Sequence, residues 1–491
     1  MRRLLLPIFI VLILQLSLAG YLVAGEEKEV KLSLETVSEL ALENNLDIQL
    51  AKYDAYIKRN DLYGAVSIFD TILNLGFSYE DDQRQTASTL AGTQSKTTDY
   101  SFGLEKKFPT GTTVGIGLDH TRNWSNSAFV STNPYHDSEA SISLTQEVGK
   151  NFFGLIDRNN IKITKLDIEN SDYTSLDKIE NYLAEVQKAY WKVIYNRQNV
   201  DSTEDMLDRA ISLHKIYIQK IKTGLAESPD LYAAEANMNI RENELLLSQN
   251  SLRLAENDLL LKLNLSERED IEIITEEIMS IDKAQPQDFI ECLTIAIERR
   301  RDYKQALNEI ESKKLNLVTK KNSLWPEIDL KASFVRNGVA QRYSDAIERI
   351  TDSDNPKYYY GITITYPLEN NEAKGEYESA QLEKAKALVL LKKNEREIVV
   401  EIKDAVSTAN TTLERVRNNL ATVQLQEAKL DAEEKRFRLG RSDSDTLVRY
   451  QDDLLQAKIS LSLSLYKFYS DLVDLRVKEN SLLEEYWTDE L

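Results

Sequence analysis

The chain has 491 residues and a formal net charge of −20, with 81 acidic side chains against 61 basic ones and a single cysteine. So acidic a chain is a poor partner for nucleic acid. Cys292 alone excludes an internal disulfide framework and lies too far along to take a lipid near the N-terminus.

In chain order, residues 1–25 read as a secretory signal. Arg2 and Arg3 give the positive end, Leu4 to Leu18 is almost wholly apolar, and Val23-Ala24-Gly25 offers the small residues of a cleavage site, so the mature chain is expected to start at Glu26. A membrane anchor is the other reading, but no stop-transfer charges follow. Beyond residue 25 no apolar run reaches the ~18 residues of a spanning helix. An exported chain of this kind is periplasmic, secreted or an outer-membrane β-barrel.

Next come segments of period two. Leu73, Leu75, Phe77 and Tyr79 alternate with Asn74, Gly76 and Ser78; Tyr100, Phe102 and Leu104 with Ser101, Gly103 and Glu105; Val114, Ile116 and Leu118 with Gly115, Gly117 and Asp119; Ala140, Ile142 and Leu144 with Ser141, Ser143 and Thr145. Two further segments follow much later, Ile328–Phe334 and Tyr360–Tyr366. One apolar face and one small or polar face suit a barrel with lipid outside and water inside, or an antiparallel sheet on a soluble core. The export signal favours the barrel. Pro109-Thr110-Gly111 predicts a tight turn on the periplasmic side, and the polar segments 81–97, 123–137 and 335–357 predict long outer loops. Six strands per chain are expected, with four as the alternative if 99–120 folds as a hairpin outside the wall.

Residues 155–223, 376–439 and 441–491 contain neither Gly nor Pro. As a helix, 155–223 would reach roughly 100 Å at ~1.5 Å per residue. Leu176, Ile179, Leu183, Val186, Tyr190 and Val193 keep a 3-4 spacing, as do Ile398, Ile402, Ala405, Ala409, Leu413, Val416, Leu420 and Val423. These predict coiled-coil seams, completed by partner helices at 228–264 and 444–482.

The chain is duplicated. Ala41-Leu42-Glu43 and Asp47 recur as Ala296-Ile297-Glu298 and Asp302, and Leu73-Asn74-Leu75 recurs as Ile328-Asp329-Leu330, all at an offset of 255; Gly224, Ser228 and Leu231 recur as Gly440, Ser444 and Leu447. The expected division is a first repeat over 26–285, with strands at about 68–148 and a helical hairpin at about 155–264. The second repeat covers 286–491, with strands at about 326–367 and a hairpin at about 370–482.

These residues resemble the TolC-like outer-membrane efflux proteins over nearly the whole mature chain. The specific parts are Leu34-Glu35 through Ala41-Leu42-Glu43-Asn44-Asn45 with its copy at 286–302, Trp325-Pro326-Glu327-Ile328-Asp329-Leu330, Ile362-Thr363-Ile364-Thr365-Tyr366-Pro367-Leu368, and Phe437-Arg438-Leu439-Gly440 with Ser444 and Leu447. The resemblance implies an α+β membrane protein. In it a homotrimer builds one β-barrel in outer-membrane lipid, continued by a periplasmic α-barrel that closes near the Gly224 and Gly440 turns. It also implies a periplasmic adaptor (membrane fusion) protein and an inner-membrane efflux pump or ABC exporter as partners, for efflux or type I secretion. The family's acidic positions six and nine residues after the second turn glycine are Thr446 and Arg449 here, while Asp230 keeps the first hairpin's acidic position. Asp443, Asp445, Asp452 and Asp453 lie nearby and could replace the ring.

No catalytic or cofactor pattern emerges. His120, His136 and His214 lack metal-ligand spacing and read as surface or lumen residues. Gly111, Gly115 and Gly117 sit inside a strand pattern with no helix following, unlike a phosphate loop. The carboxylates spread around helix surfaces rather than pairing in a cleft. The leading reading is an outer-membrane exit duct. The alternatives are a periplasmic coiled-coil adaptor or scaffold without a channel, an exported filament or adhesin and, last, an enzyme.

Overall fold

The computed structural model describes residues 30–85, 92–265, 271–273, 286–352 and 355–486. The expected signal segment lies outside the described residues. The elements run β1 (Val30–Leu32), α1 (Leu34–Asn44), α2 (Leu46–Arg59), α3 (Asp61–Val66), β2 (Thr71–Asp82), β3 (Ser95–Lys107), β4 (Thr112–Ser125), β5 (Tyr135–Glu147), α4 (Leu155–Lys222), α5 (Ser228–Leu263), β6 (Ile271–Ile273), α6 (Phe289–Arg299), α7 (Arg301–Asn322), β7 (Glu327–Ala340), α8 (Tyr343–Asp352), β8 (Pro356–Thr365), α9 (Asn371–Arg438) and α10 (Ser444–Glu479).

The duplication holds to the residue in the hairpins. Helices α4 and α9 each have 68 residues, and α5 and α10 each have 36. Both hairpins end on an asparagine at φ 53°, Asn264 and Asn480, in the left-handed conformation that stops a helix. The opening helices match as well. Ser33 caps α1 through Thr36 N, and Asp288 caps α6 through Ile290 N and Glu291 N, 255 positions later.

Packing separates two compact units, and each draws on the earlier and the later half of the chain. The first comprises Met1–Lys52, Leu176–Arg300 and Ile398–Glu490. Its interior is the predicted seam: Ile179, Leu183, Val186, Tyr190 and Val193 of α4 and Ile398, Ile402, Ala409, Leu413 and Val416 of α9 are buried. Trp191 of α4 stacks flat on Tyr469 of α10, 3.8 Å between ring centres. Thus helices from different repeats share one core. Strands β1 and β6 pair in parallel in this unit.

The second unit is built on Tyr53–Ser175 and Arg301–Glu397. Six strands form one antiparallel sheet in the order β2-β3-β4-β5-β7-β8. The added pair β3–β4 stands inside this order, because β2 pairs with β3 and β4 with β5. Two of the three expected long loops are corrected, and residues 86–91 of the third, 81–97, lie outside the described residues. Only 126–134 separates β4 from β5, and 335–357 holds the end of β7 and helix α8. Tyr343, Ala346, Ile347 and Ile350 have helical spacing, but one short amphipathic turn after a strand leaves little periodic signal.

Candidate functional site: a two-faced sheet and two helix turns

Alternation along each strand becomes a continuous face only if the registers align it, and they do. Leu73, Leu75 and Phe77 stand opposite Leu104, Phe102 and Tyr100. Leu104 and Phe102 stand opposite Ile116 and Leu118, and Ile116 opposite Ile142. Ile142 faces Phe334, and Phe334 faces Tyr358. The apolar set therefore crosses all six strands on one side. Away from the β5–β7 end it is uncovered within the chain: Leu75 is 72% exposed and Tyr360 78%. A large bare apolar surface of this kind needs a partner or lipid.

The other face is small and polar. Asn74 pairs with Gly103, Gly103 with Gly117, Gly115 with Ser143, and Ser143 with Ser333. Large side chains interrupt it at Ile72, Tyr135, Val335, Val339 and Tyr359. Asp99 accepts hydrogen bonds from Ser78 Oγ and Thr121 Oγ1, each at 2.8 Å, which ties three strands together on this side. Polar ladders suit contact with water, and glycines at these positions keep the surface thin.

At one end of the sheet, the Pro109–Gly111 turn packs against the junction of β5 with α4. Arg158 Nη1 donates to Pro109 O at 2.6 Å, and Gly111 and Gly154 approach so closely that a Cβ on Gly154 would lie 2.8 Å from Gly111 N. The turn thus stands at the end of the sheet where α4 begins. At the other end α8 lies over the apolar side of β7 and β5. A Cβ on Gly338 would meet Arg349 Cβ at 2.7 Å, and Ser138 beside it is buried. Histidines His120 and His136 meet under this helix. His120 Nε2 lies 3.1 Å from His136 Nδ1, His120 Nδ1 lies 2.7 Å from Ser138 Oγ, and Tyr343 is edge-on to His120. Strand register brings together residues that the sequence alone left apart. Among the described residues no metal-binding cluster of three occurs.

The two helix turns have the same construction. Gly224 has φ 69° and Gly440 φ 70°. In the first, Leu225 N donates to Lys220 O at 2.8 Å and Gly224 N to Ile221 O at 3.0 Å. In the second, Arg441 N donates to Arg436 O at 2.9 Å and Gly440 N to Phe437 O at 3.0 Å. This double bond satisfies the last helix carbonyls and requires a left-handed residue, which glycine supplies without strain. Nothing lies within 4 Å of a Cβ built on either glycine. Gly440→Ala is therefore expected to cost only the left-handed penalty, about 1–2 kcal/mol. Gly440→Pro, whose ring demands φ near −65°, is expected to abolish the turn, and Gly224→Val to fall between. Protein yield in membranes and limited proteolysis at the turns check this order.

The acidic residues near these turns have mostly structural employment. Asp230 accepts from Glu227 N at 3.3 Å in a capping box. Asp443 accepts from Thr446 N at 2.7 Å as the N-cap of α10, and that backbone bond holds its carboxyl below the usual carboxylate range. Asp445 is exposed, as is Leu439. Arg449 lies over the Tyr450 ring at 5.6 Å. Asp453 is bound to Lys429 Nζ at 2.6 Å, and Asp452 to Arg241, whose other guanidinium nitrogen reaches Glu244 at 2.8 Å. Arg241 is buried on α5 while Asp452 stands on α10, so this pair joins the two hairpins. The same region carries an apolar cluster from four helices, including Leu213, Ala234, Phe437 and Leu447.

Residues 293–477 match the family model described as outer membrane efflux protein. No curated protein matches the chain. Among solved structures, it is similar to the CmeC outer membrane channel of Campylobacter jejuni at 14% identity and TM-score 0.63, over 94% of this chain and 91% of that one. It is similar to the outer membrane protein VceC of Vibrio cholerae at 16% identity and TM-score 0.65, over 91% and 95%. The open-state MtrE outer membrane channel of Neisseria gonorrhoeae gives 15% identity and TM-score 0.64, over 93% and 91%.

Proposed function

We propose that the chain is an outer-membrane exit duct of the outer membrane efflux protein family, with a long periplasmic helical extension, a reading supported by the family match over residues 293–477 and by the similar channel structures. The observation that carries the reading is the apolar face running unbroken through six registered strands. It supplies a lipid-facing wall, and the Asn74, Gly103, Gly117 and Ser143 face lines the water path. The matched family model and the similar solved structures are of outer-membrane efflux channels, which supports a channel rather than an enzyme.

The chain works as a homotrimer. Substrate reaches it from an inner-membrane efflux pump or ABC exporter through a periplasmic adaptor, which meets the hairpin turns at Thr223-Gly224 and Leu439-Gly440. The repeats run 26–285 and 286–491. The gate lies at those turns, where the four-helix cluster and the Arg241–Asp452 pair hold the hairpins together. Asp445, exposed beside the second turn, contributes negative charge to the entrance; Asp230 and Asp443 add to it while capping their helices. A narrow acidic constriction concentrates cations.

Purified protein in planar bilayers tests this directly. Channels that conduct weakly at rest and prefer cations are expected. Asp452→Ala strands the buried Arg241 guanidinium with Glu244 alone, which disfavours the joined arrangement, and should raise resting conductance several-fold. Asp445→Ala should weaken cation preference without changing the amount of channel. A protein that extracts without detergent and gives no conductance would sink the duct, and an Asp452→Ala channel with wild-type conductance would sink this gate.

A further inference from the structure

We propose that this chain contributes six strands to the barrel wall, so that three copies close an eighteen-stranded barrel, each joined to the next through the edges of β2 and β8. The proposal rests on the duct reading and adds what that reading leaves open, namely the width of the wall and the contact that closes it.

The added pair cannot be set aside from the sheet. If β3 and β4 formed a hairpin above or inside a four-strand segment, β2 would lie beside β5. Instead twelve residue pairs join β2 to β3, from Thr71–Lys106 to Asp82–Ser95, and β4 pairs with β5 from Thr112–Gln146 to Asn123–Tyr135. The pair also continues both faces. Phe102, Leu104, Ile116 and Leu118 extend the apolar side, while Gly103, Gly115 and Gly117 extend the thin polar side. A hairpin meant for water would not carry the lipid pattern in register with its neighbours.

The free edges then dictate the partner. Among the described residues neither the outer edge of β2 nor that of β8 has a strand beside it. They are 12 and 10 residues long, and such edges are untenable in hydrocarbon, where unpaired backbone groups find no water. One chain cannot close on itself, since about eight strands are the fewest that outer-membrane barrels use. Because six is even and every neighbouring pair is antiparallel, β8 of one copy runs antiparallel to β2 of the next. Leu75 and Phe77 of β2 then lie on the same side of the wall as Tyr360 and Ile362 of β8, and the apolar face continues from one copy to the next. A second copy is the occupant whose edge, direction and face all match. Barrel width grows about linearly with strand number, so three such segments make a wall about half again as wide as twelve strands would.

Two measurements decide it. Native mass spectrometry of detergent-purified protein should give three chains; two chains would overturn the eighteen-strand closure. Single cysteine variants Leu75→Cys, Phe102→Cys, Ile116→Cys and Ile362→Cys, made with the buried Cys292 changed to Ser and spin-labelled in bilayers, should all collide with oxygen rather than with a water-soluble nickel chelate. If labels at 102 and 116 report water while those at 75 and 362 report lipid, the six-strand wall is wrong and the duct stands. Water at all four positions would remove the duct itself. Unmodified protein labelled with a lipid-soluble carbene guards against variants that do not assemble. Modification of 99–118 as well as 72–79 is expected, and modification of 72–79 alone overturns the proposal.

Discussion

Ile142→Arg is expected to eliminate the protein from the outer membrane, while Ser143→Arg, one residue on, leaves it inserted and narrows the channel. Ile142 lies in the middle of the sheet with Ile116 on one side and Phe334 on the other, all on the apolar face. A charged side chain at mid-depth on the lipid face costs about 2–4 kcal/mol per chain. In the proposed trimer the penalty recurs in each copy, and it falls on insertion itself. Ser143 points the other way, between Gly115 and Ser333. The flanking glycine leaves room, and water solvates the guanidinium. Its three copies would add positive charge to the lumen, lowering conductance and cation preference. Heat-modifiability and membrane fractionation read the first effect, and bilayer conductance the second. Insertion of both variants, or of neither, would show that the two faces are not lipid and water.

Gly154→Val is expected to be the most damaging single change outside the wall. Gly154 has φ 73° and follows Asn151 at φ 62° and Phe153 at φ 47°, so the chain turns from β5 into α4 through three left-handed residues. Asn151 holds the corner: its Oδ1 accepts from Ile156 N at 2.8 Å, its backbone N–H donates to Asn322 Oδ1 at 2.8 Å, and its Nδ2 donates to Asp157 Oδ2 at 2.8 Å. A side chain on Gly154 meets both the left-handed penalty and the backbone of Pro109 and Gly111. Backbone cannot swing aside as a flexible side chain would. The combined strain and overlap come to about 3 kcal/mol or more. Gly64→Val, at a position with nothing within 4 Å, serves as the control. Yield of assembled protein and its resistance to protease should fall sharply in the first variant and little in the second. Equal yields would mean the junction tolerates rebuilding.

The lengths and limits of the elements were legible because they depend on residues close together in the chain. Gly224 closes a stretch free of Gly and Pro and Gly440 divides another, and the seams from Ile179 to Val193 and from Ile398 to Val416 show a period that only helices bury. The two-residue alternation of Leu73–Tyr79, Tyr100–Leu104 and Val114–Leu118 marks strands for the same reason. The offset of 255 in the opening helix and first strand and the duplicate glycine turns reveal the repeated unit before any contact is known. What the local pattern could not decide was which strand lies beside which. Alternation is identical for a strand inside a sheet and for one in a separate hairpin, and only the β2–β3 and β4–β5 ladders place Phe102 and Ile116 within the six-stranded sheet. The same holds for the charges. Asp452 and Asp453 are neighbours in sequence and looked available for an acidic ring, but folding commits one to Arg241, 211 positions away, and the other to Lys429. Helix α8 and the His120–His136 contact escaped for a related reason, since their positions follow from Gly338 and Ser138 on adjacent strands rather than from any spacing. Periodicity is a property of each segment alone. Pairing and ion-pair choice are set by contacts between segments far apart in the chain, and those exist only once the chain has folded.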